Sequence, residues 1–256
     1  MHKRLFLLLS LAFLATVAVR AATDPMVGDW KLNPQKSKLV DEMKVASAGG
    51  NKYSFDFGGP QAETIVVDGT DQPGMAGTTL SVAAGEGNWV VVRKKDGHVL
   101  LKAIWTLLKD KGQLQDDYTQ FAGNGQATHI VYVYDRRGPG EGFAGDWVST
   151  TQQMDTVYVL NVRPYEDGGL SLAIPAQGYT KNVKFDGHDY PDPGSTNGRM
   201  TSARRVSERT VELTDTRPDK SARTQRISVS EDGKTLTMTI RVPERTDPNV
   251  LVFDRQ

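Results

Sequence analysis

The sequence repeats itself, and that repeat limits the fold more than any other feature does. Met26-Val27-Gly28-Asp29-Trp30 returns as Phe143-Ala144-Gly145-Asp146-Trp147, 117 positions later. The stretch around Asp68-Gly69 returns around Asp186-Gly187, 118 positions on. Val131-Tyr132-Val133-Tyr134-Asp135-Arg136 returns as Val250-Leu251-Val252-Phe253-Asp254-Arg255, at 119. Three blocks in one order at nearly constant spacing predict two copies of a single domain, residues 22–137 and 143–256. Residues 138–142, rich in Gly and Pro, form the linker between them. A tether this short predicts that the copies pack against each other.

What precedes the first copy reads as a signal peptide over residues 1–21. Lys3 and Arg4 give a positive start, Leu5 to Val19 is nearly unbroken apolar chain, and Val19-Arg20-Ala21 suits a signal peptidase. The apolar run is short of the roughly 20 residues that cross a bilayer, and no later segment approaches that length. The mature chain is therefore expected in the periplasm or outside the cell, with no membrane span. It has no cysteine, which rules out disulfides, thiolate metal sites and thiol nucleophiles and leaves stability to buried core. Without Lys3, Arg4 and Arg20 the chain carries 28 basic against 31 acidic residues. That balance argues against a nucleic-acid partner, which demands a concentrated basic face.

Inside each copy, alternation with period two dominates. In the second copy it predicts strands over residues 156–162, 170–174, 181–185, 200–206, 210–214, 222–228, 235–241 and 249–254. Asp167-Gly168, Asp186-Gly187 and Asp232-Gly233 fall between strands, as Asp68-Gly69, Asp96-Gly97 and Lys111-Gly112 do in the first copy; Asp-Gly accepts the positive φ of tight hairpins. Only residues 37–45 have a helical spacing, through Leu39, Val40 and Met43. Short strands and close turns predict a sandwich or a closed barrel. The ends of each copy favour the barrel, whose first and last strands must meet. Within each copy the opening Trp is then expected beside the closing Arg, Trp30 with Arg136 and Trp147 with Arg255. An indole sealing a barrel floor buries on the order of 200 Å², about 5 kcal/mol, and a stacked guanidinium adds roughly 1 kcal/mol.

Gly28-Asp29-Trp30-Lys31-Leu32 resembles the Gly-x-Trp opening of the lipocalin and fatty-acid-binding (calycin) families, and the closing Arg resembles the basic residue that crosses that Trp in lipocalins. Gly28 to Pro34 and Asp186 to Pro191 together are similar to a group of exported bacterial proteins of uncharacterised role. The resemblance implies two tandem lipocalin-like antiparallel β-barrels of about eight strands each, all-β, able to hold a small ligand. Two departures stand beside it. The second copy leaves no room for the two-helix lid of fatty-acid-binding proteins, and Ile130 occupies the position of the Arg that holds a fatty-acid carboxylate there.

No catalytic constellation emerges. His98, His129 and His188 lack the close spacing of a metal pair, nothing resembles Gly-x-Ser-x-Gly, and Asp116-Asp117 point to opposite faces if they lie on a strand. No cofactor and no metal are expected. Ligand binding suits the composition better. Trp89, Trp105, Tyr118 and Tyr132, with Tyr134, give the first copy an aromatic interior for an apolar molecule; Arg226 and Arg241, with Arg204 and Arg223, give the second copy cations for an anion if they point inward. Val131–Tyr134 and Val250–Phe253 are apolar on both faces, which predicts that something covers their outer sides. The leading expectation is a non-catalytic binding protein for a small hydrophobic molecule. Ranked behind it are a structural or protein-interaction module of the cell envelope with filled barrels and, far behind, an enzyme of unknown class.

Overall fold

The computed structural model describes residues 24–256 except 59–60, 109–111, 124, 156–157, 193–197, 219–221, 244 and 246. The signal-peptide expectation, residues 1–21, and the first two residues of the strand expected from 156 lie outside the described residues. The first copy forms β1 (Gly28–Leu32), β2 (Glu42–Ser47), β3 (Lys52–Asp56), β4 (Glu63–Val66), β5 (Gln72–Pro73), β6 (Thr79–Ala84), β7 (Asn88–Lys95), β8 (His98–Leu107), β9 (Gln113–Phe121) and β10 (Ala127–Arg137). The second forms β11 (Gly145–Met154), β12 (Val159–Tyr165), β13 (Gly169–Ile174), β14 (Tyr179–Val183), β15 (Tyr190–Pro191), β16 (Met200–Ser207), β17 (Thr210–Thr216), β18 (Ala222–Val229), β19 (Thr235–Arg241) and β20 (Asn249–Arg255). The chain is all-β and builds two antiparallel, nearly closed barrels. Each has ten strands rather than about eight, the additions being the opening strand and a two-residue bridge, β5 or β15.

Hairpin chemistry follows the sequence. Asp96 and Gly97 both take positive φ, 51° and 79°, at the turn from β7 to β8, the conformation that two-residue hairpins need. Along the strands the buried residues alternate, as in Trp89 and Val91, Val211 and Leu213, or Leu251 and Phe253. Residues 37–45 are not helical. A single 3₁₀ turn, Pro34–Lys36, precedes extended chain and then β2. Met43 and Val45 sit on the buried face of that strand, so cross-strand packing overrides the weak helical spacing.

The two sheets are not made by one copy each. Their strand orders are β4-β3-β2-β11-β10-β9-β8-β7-β6-β5 and β14-β13-β12-β1-β20-β19-β18-β17-β16-β15. The opening strands have changed places: β11 lies between β2 and β10 of the first copy, and β1 lies between β12 and β20 of the second. The registers are equivalent, Trp147 facing Arg136 and Met43 in one barrel, Trp30 facing Arg255 and Leu160 in the other. The cause lies in the linker. Arg137 pairs with Asp146, so the Gly/Pro stretch closes as a hairpin and delivers β11 to the edge of β10. Gly140 belongs to that turn; a Cβ there would sit 2.3 Å from the Ala144 carbonyl oxygen. With that place filled, β1 completes the second barrel.

The Trp–Arg pairing is corrected accordingly. Trp30 lies under Arg255, with the guanidinium carbon 4.0 Å from the ring centroid, and Trp147 lies under Arg136 at 4.5 Å. Trp30 and Trp147 are 0% and 1% exposed, as a sealed floor requires. Each indole N–H donates to a carbonyl four residues upstream, Met26 O at 3.0 Å and Phe143 O at 2.9 Å. Arg255 donates to the carbonyls of Gly233, Val27 and Pro25; Arg136 donates to those of Ala144 and Gly142. The guanidinium therefore ties the closing strand to the chain entering the opening strand, which in both barrels comes from the other copy.

Tyr132, Tyr134, Leu251 and Phe253 pack inside, while Val131, Val133, Val250 and Val252 are half-buried on the outer side. The copies touch here. Val250 exchanges backbone hydrogen bonds with Lys38, the Val252 carbonyl accepts from Asn33 N–H, and the 3₁₀ turn Pro175–Gln177 of the second copy packs against β10.

Candidate functional site

Each barrel is sealed at its floor, so any chamber lies toward the other end. The first barrel encloses a cavity of about 530 Å³. Its wall is built by inward residues of successive strands: Met43 on β2, Leu80 on β6, Val91 on β7, Ala103 and Trp105 on β8, Asp116 and Tyr118 on β9, Ile130 and Tyr132 on β10. Met75, Ala76 and Thr78 from the 3₁₀ turn after β5 complete one side.

Two polar groups on this wall satisfy each other poorly. Trp105 and Asp116 face each other across β8 and β9. The indole nitrogen of Trp105 and Oδ1 of Asp116 are buried and complete no hydrogen bond of normal geometry with any described residue. Leaving such atoms unsatisfied costs about 1–3 kcal/mol each. Asp116 is 5% exposed. Burial above all, then the negative charge of Asp41, pushes its carboxyl up to about 8, against a small opposing pull from Trp105. At neutral pH it is the protonated acid, able to donate. Burial likewise raises the phenols of Tyr118 and Tyr132, so both remain neutral donors. Tyr118 donates to Gln120 at 3.2 Å. Below them Tyr134 donates to Asp41 at 2.7 Å, and Asp41 also holds Arg245 of the second copy at 2.9 Å.

The barrel seam, where the sheet ends do not pair, is bridged by side chains. Glu63 on β4 meets Arg93 on β7 through two contacts, 2.6 and 3.0 Å. Burial resists the Glu63 charge most strongly, but the hydrogen bonds from Arg93 and Met75 hold its carboxyl below the usual range. The second barrel carries the same bridge with its charges exchanged. Phe55 faces Glu63 as Leu172 faces Lys181, and Leu80 faces Arg93 as Thr201 faces Asp215. Lys181, 1% exposed, binds Asp215, Thr201 and Asp192. Arg223 and Gln225 add bonds to Asp215 of 2.5 and 2.8 Å.

The second barrel's cavity is smaller, about 290 Å³. Tyr158, Leu160, Leu172, Met238, Ile240 and Leu251 line it beside Lys181, Arg199, Arg223 and Gln225. Met238 and Leu251 stand where Asp116 and Tyr132 stand in the first barrel, as the shared register shows.

The residues singled out from sequence divide among these places. Trp105, Tyr118 and Tyr132 line the first cavity. Trp89 lies deeper, stacked on Phe143 of the second copy with centroids 4.1 Å apart. Arg226 is exposed and pairs with Glu212 at 3.3 Å; Arg241 is exposed beside Pro243 and Asp247 in a surface depression. Sequence reasoning passed over Asp116 as a strand residue and did not find Lys181 or Arg199. Asp116 carried a signal, since it is an acid at an inward position between apolar Leu114 and aromatic Tyr118. No helix among the described residues is long and apolar enough to cross a membrane, and no group of side chains there is arranged to hold a metal ion. No family profile and no curated protein matches the chain.

Proposed function

We propose that this is a lipocalin-like binding protein, exported to the periplasm or beyond, that holds a small and mostly apolar molecule in its first barrel without catalysing a reaction. The observation that carries the reading is the 530 Å³ cavity with Asp116 and Trp105 on its wall. The volume lies in the ordinary range of ligand sites, roughly 300–1,000 Å³, and the lining has their usual character, apolar and aromatic with a few polar groups. The protonated Asp116, the Trp105 N–H and the tyrosine hydroxyls are donors. The ligand this wall suits is therefore neutral, largely hydrocarbon, and equipped with an acceptor such as a carbonyl or ether oxygen. A cavity of this size speaks for binding over a filled, purely structural barrel.

Native mass spectrometry of protein purified from its exporting host, followed by solvent extraction, tests the proposal. The expected result is a copurifying neutral molecule, or, after extraction, saturable quenching of Trp105 emission by apolar carbonyl compounds that is lost in the cavity-filling Ala103→Leu. No adduct and no saturable binding of any such compound would overturn it.

A further inference from the structure

The second cavity differs from the first in the charge of its wall. Three cationic side chains, Lys181, Arg199 and Arg223, line it, and no carboxylate does among the described residues. The acids that accompany them stand behind. Asp215 is held by Lys181, Arg223 and Gln225, and Asp192 by Lys181 and, at 4.0 Å, by Arg199. Among the described residues, three cations thus share two carboxylates in a pocket whose wall includes the apolar Tyr158, Leu172 and Met238. The clustering is unfavourable in itself. Arg199 is half-buried, and desolvation, then the like charge of Arg223, depresses its proton affinity. Charges of one sign gathered at a low-dielectric wall are stabilised by an opposite charge brought to them.

We propose that the second barrel binds a small organic anion, with its charged group against Arg199, Arg223 and Lys181 and a short apolar body toward Leu172 and Met238. The two barrels, built from one repeat, would then select different chemistry, a neutral ligand in the first and an anionic one in the second. Guanidinium groups give the stronger, two-pronged hold on such a group, and Lys181 acts chiefly as a fixed charge.

Calorimetric titration of the full chain with octanoate, and with octanol as its uncharged counterpart, tests this. Octanoate is expected to bind, and Arg199→Gln to weaken it about tenfold or more, the worth of one charge-assisted hydrogen bond. Arg223→Lys keeps the charge beside Asp215 and is expected to retain most of the affinity that Arg223→Gln loses, which separates a binding effect from a folding one. Trp105→Phe locates the site: Trp105 lines the first cavity, whereas the second barrel's own indole, Trp30, packs in the apolar cluster with Leu160, Leu172 and Met238, so any change in emission with octanoate should survive in Trp105→Phe. Failure of octanoate to bind, equal affinity for octanol, undiminished affinity in a folded Arg199→Gln, or an octanoate-dependent emission change that is lost in Trp105→Phe would each overturn the proposal. A neutral ligand in the first barrel stands or falls separately, on the Trp105 signal.

Discussion

Asp116 shows how a single buried acid shapes the behaviour of this chain. Its carboxyl is raised to about 8 in the folded protein but titrates near 4 when unfolded. Between those values the folded state holds a proton that the unfolded state has lost, so stability falls as pH rises from about 4 and levels off above about 8. Replacing it with Asn removes the charge that must be suppressed. Urea denaturation should find Asp116→Asn gaining on the parent by an amount on the order of 1–3 kcal/mol between pH 5 and pH 8; an unchanged difference across that range would mean the acid is not isolated as described. Gly28 makes a second residue-level case. Its φ is 156°, and a Cβ would lie 2.5 Å from Nη1 of Arg255. An arginine tip is usually free to swing aside, but this one donates to three carbonyls. Gly28→Ala is expected to cost more than the ~0.5 kcal/mol of an ordinary surface change, measured as a loss in thermal or urea stability. A neutral result would show that the guanidinium is not pinned.

At the scale of elements, the strands and hairpins were legible because period-two alternation and Asp-Gly turns act locally. Barrel closure by Trp and Arg was also legible, since both ends of the repeat recur. The identity of the partners was not. Gly-Asp-Trp is the same in both copies, so β1 and β11 fit either barrel, and the choice falls to the linker, whose shortness makes a hairpin from β10 to β11 the nearest solution. Lys181 escaped notice for a related reason. Loop lengths differ between the copies, so the spacing drifts from 117 near β2 to 122 at β7, where Arg93 corresponds to Asp215. Only the paired registers reveal that Glu63 and Arg93 match Lys181 and Asp215 with signs exchanged. The exchange has a consequence for truncation. Removing residues 24–32 takes a strand from the second barrel, although those residues belong to the first copy. Hydrogen exchange should then rise sharply in β12 and β20 while β10 and β11 stay protected; loss of protection centred on β2 and β10 would contradict the topology.

For the molecule as a whole, the exchanged strands also set how the barrels face. β1 and β11 both run from a sealed floor toward an open rim. Gln120 lines both cavities, so the two chambers open toward a shared space. Arg245 of the second copy, bonded to Asp41 and to the Val40 carbonyl, and Asn249, bonded to Val40 N–H at 2.5 Å, hold that arrangement. Each barrel lacks a strand without the other copy, and the ligand chemistry proposed for both depends on that mutual completion.

The chain has no cysteine, so two introduced thiols report on strand pairing without background. Lys31 lies opposite Asp254 across β1 and β20, within the range a disulfide can span. In barrels made by one copy each, Lys31 would instead lie opposite Asp135, the residue that Val148 faces here. Oxidation of Lys31→Cys/Asp254→Cys is expected to link residues 31 and 254 nearly completely within one chain, and Lys31→Cys/Asp135→Cys to stay reduced. A bond between positions 31 and 135, with none between 31 and 254, would contradict the exchanged barrels.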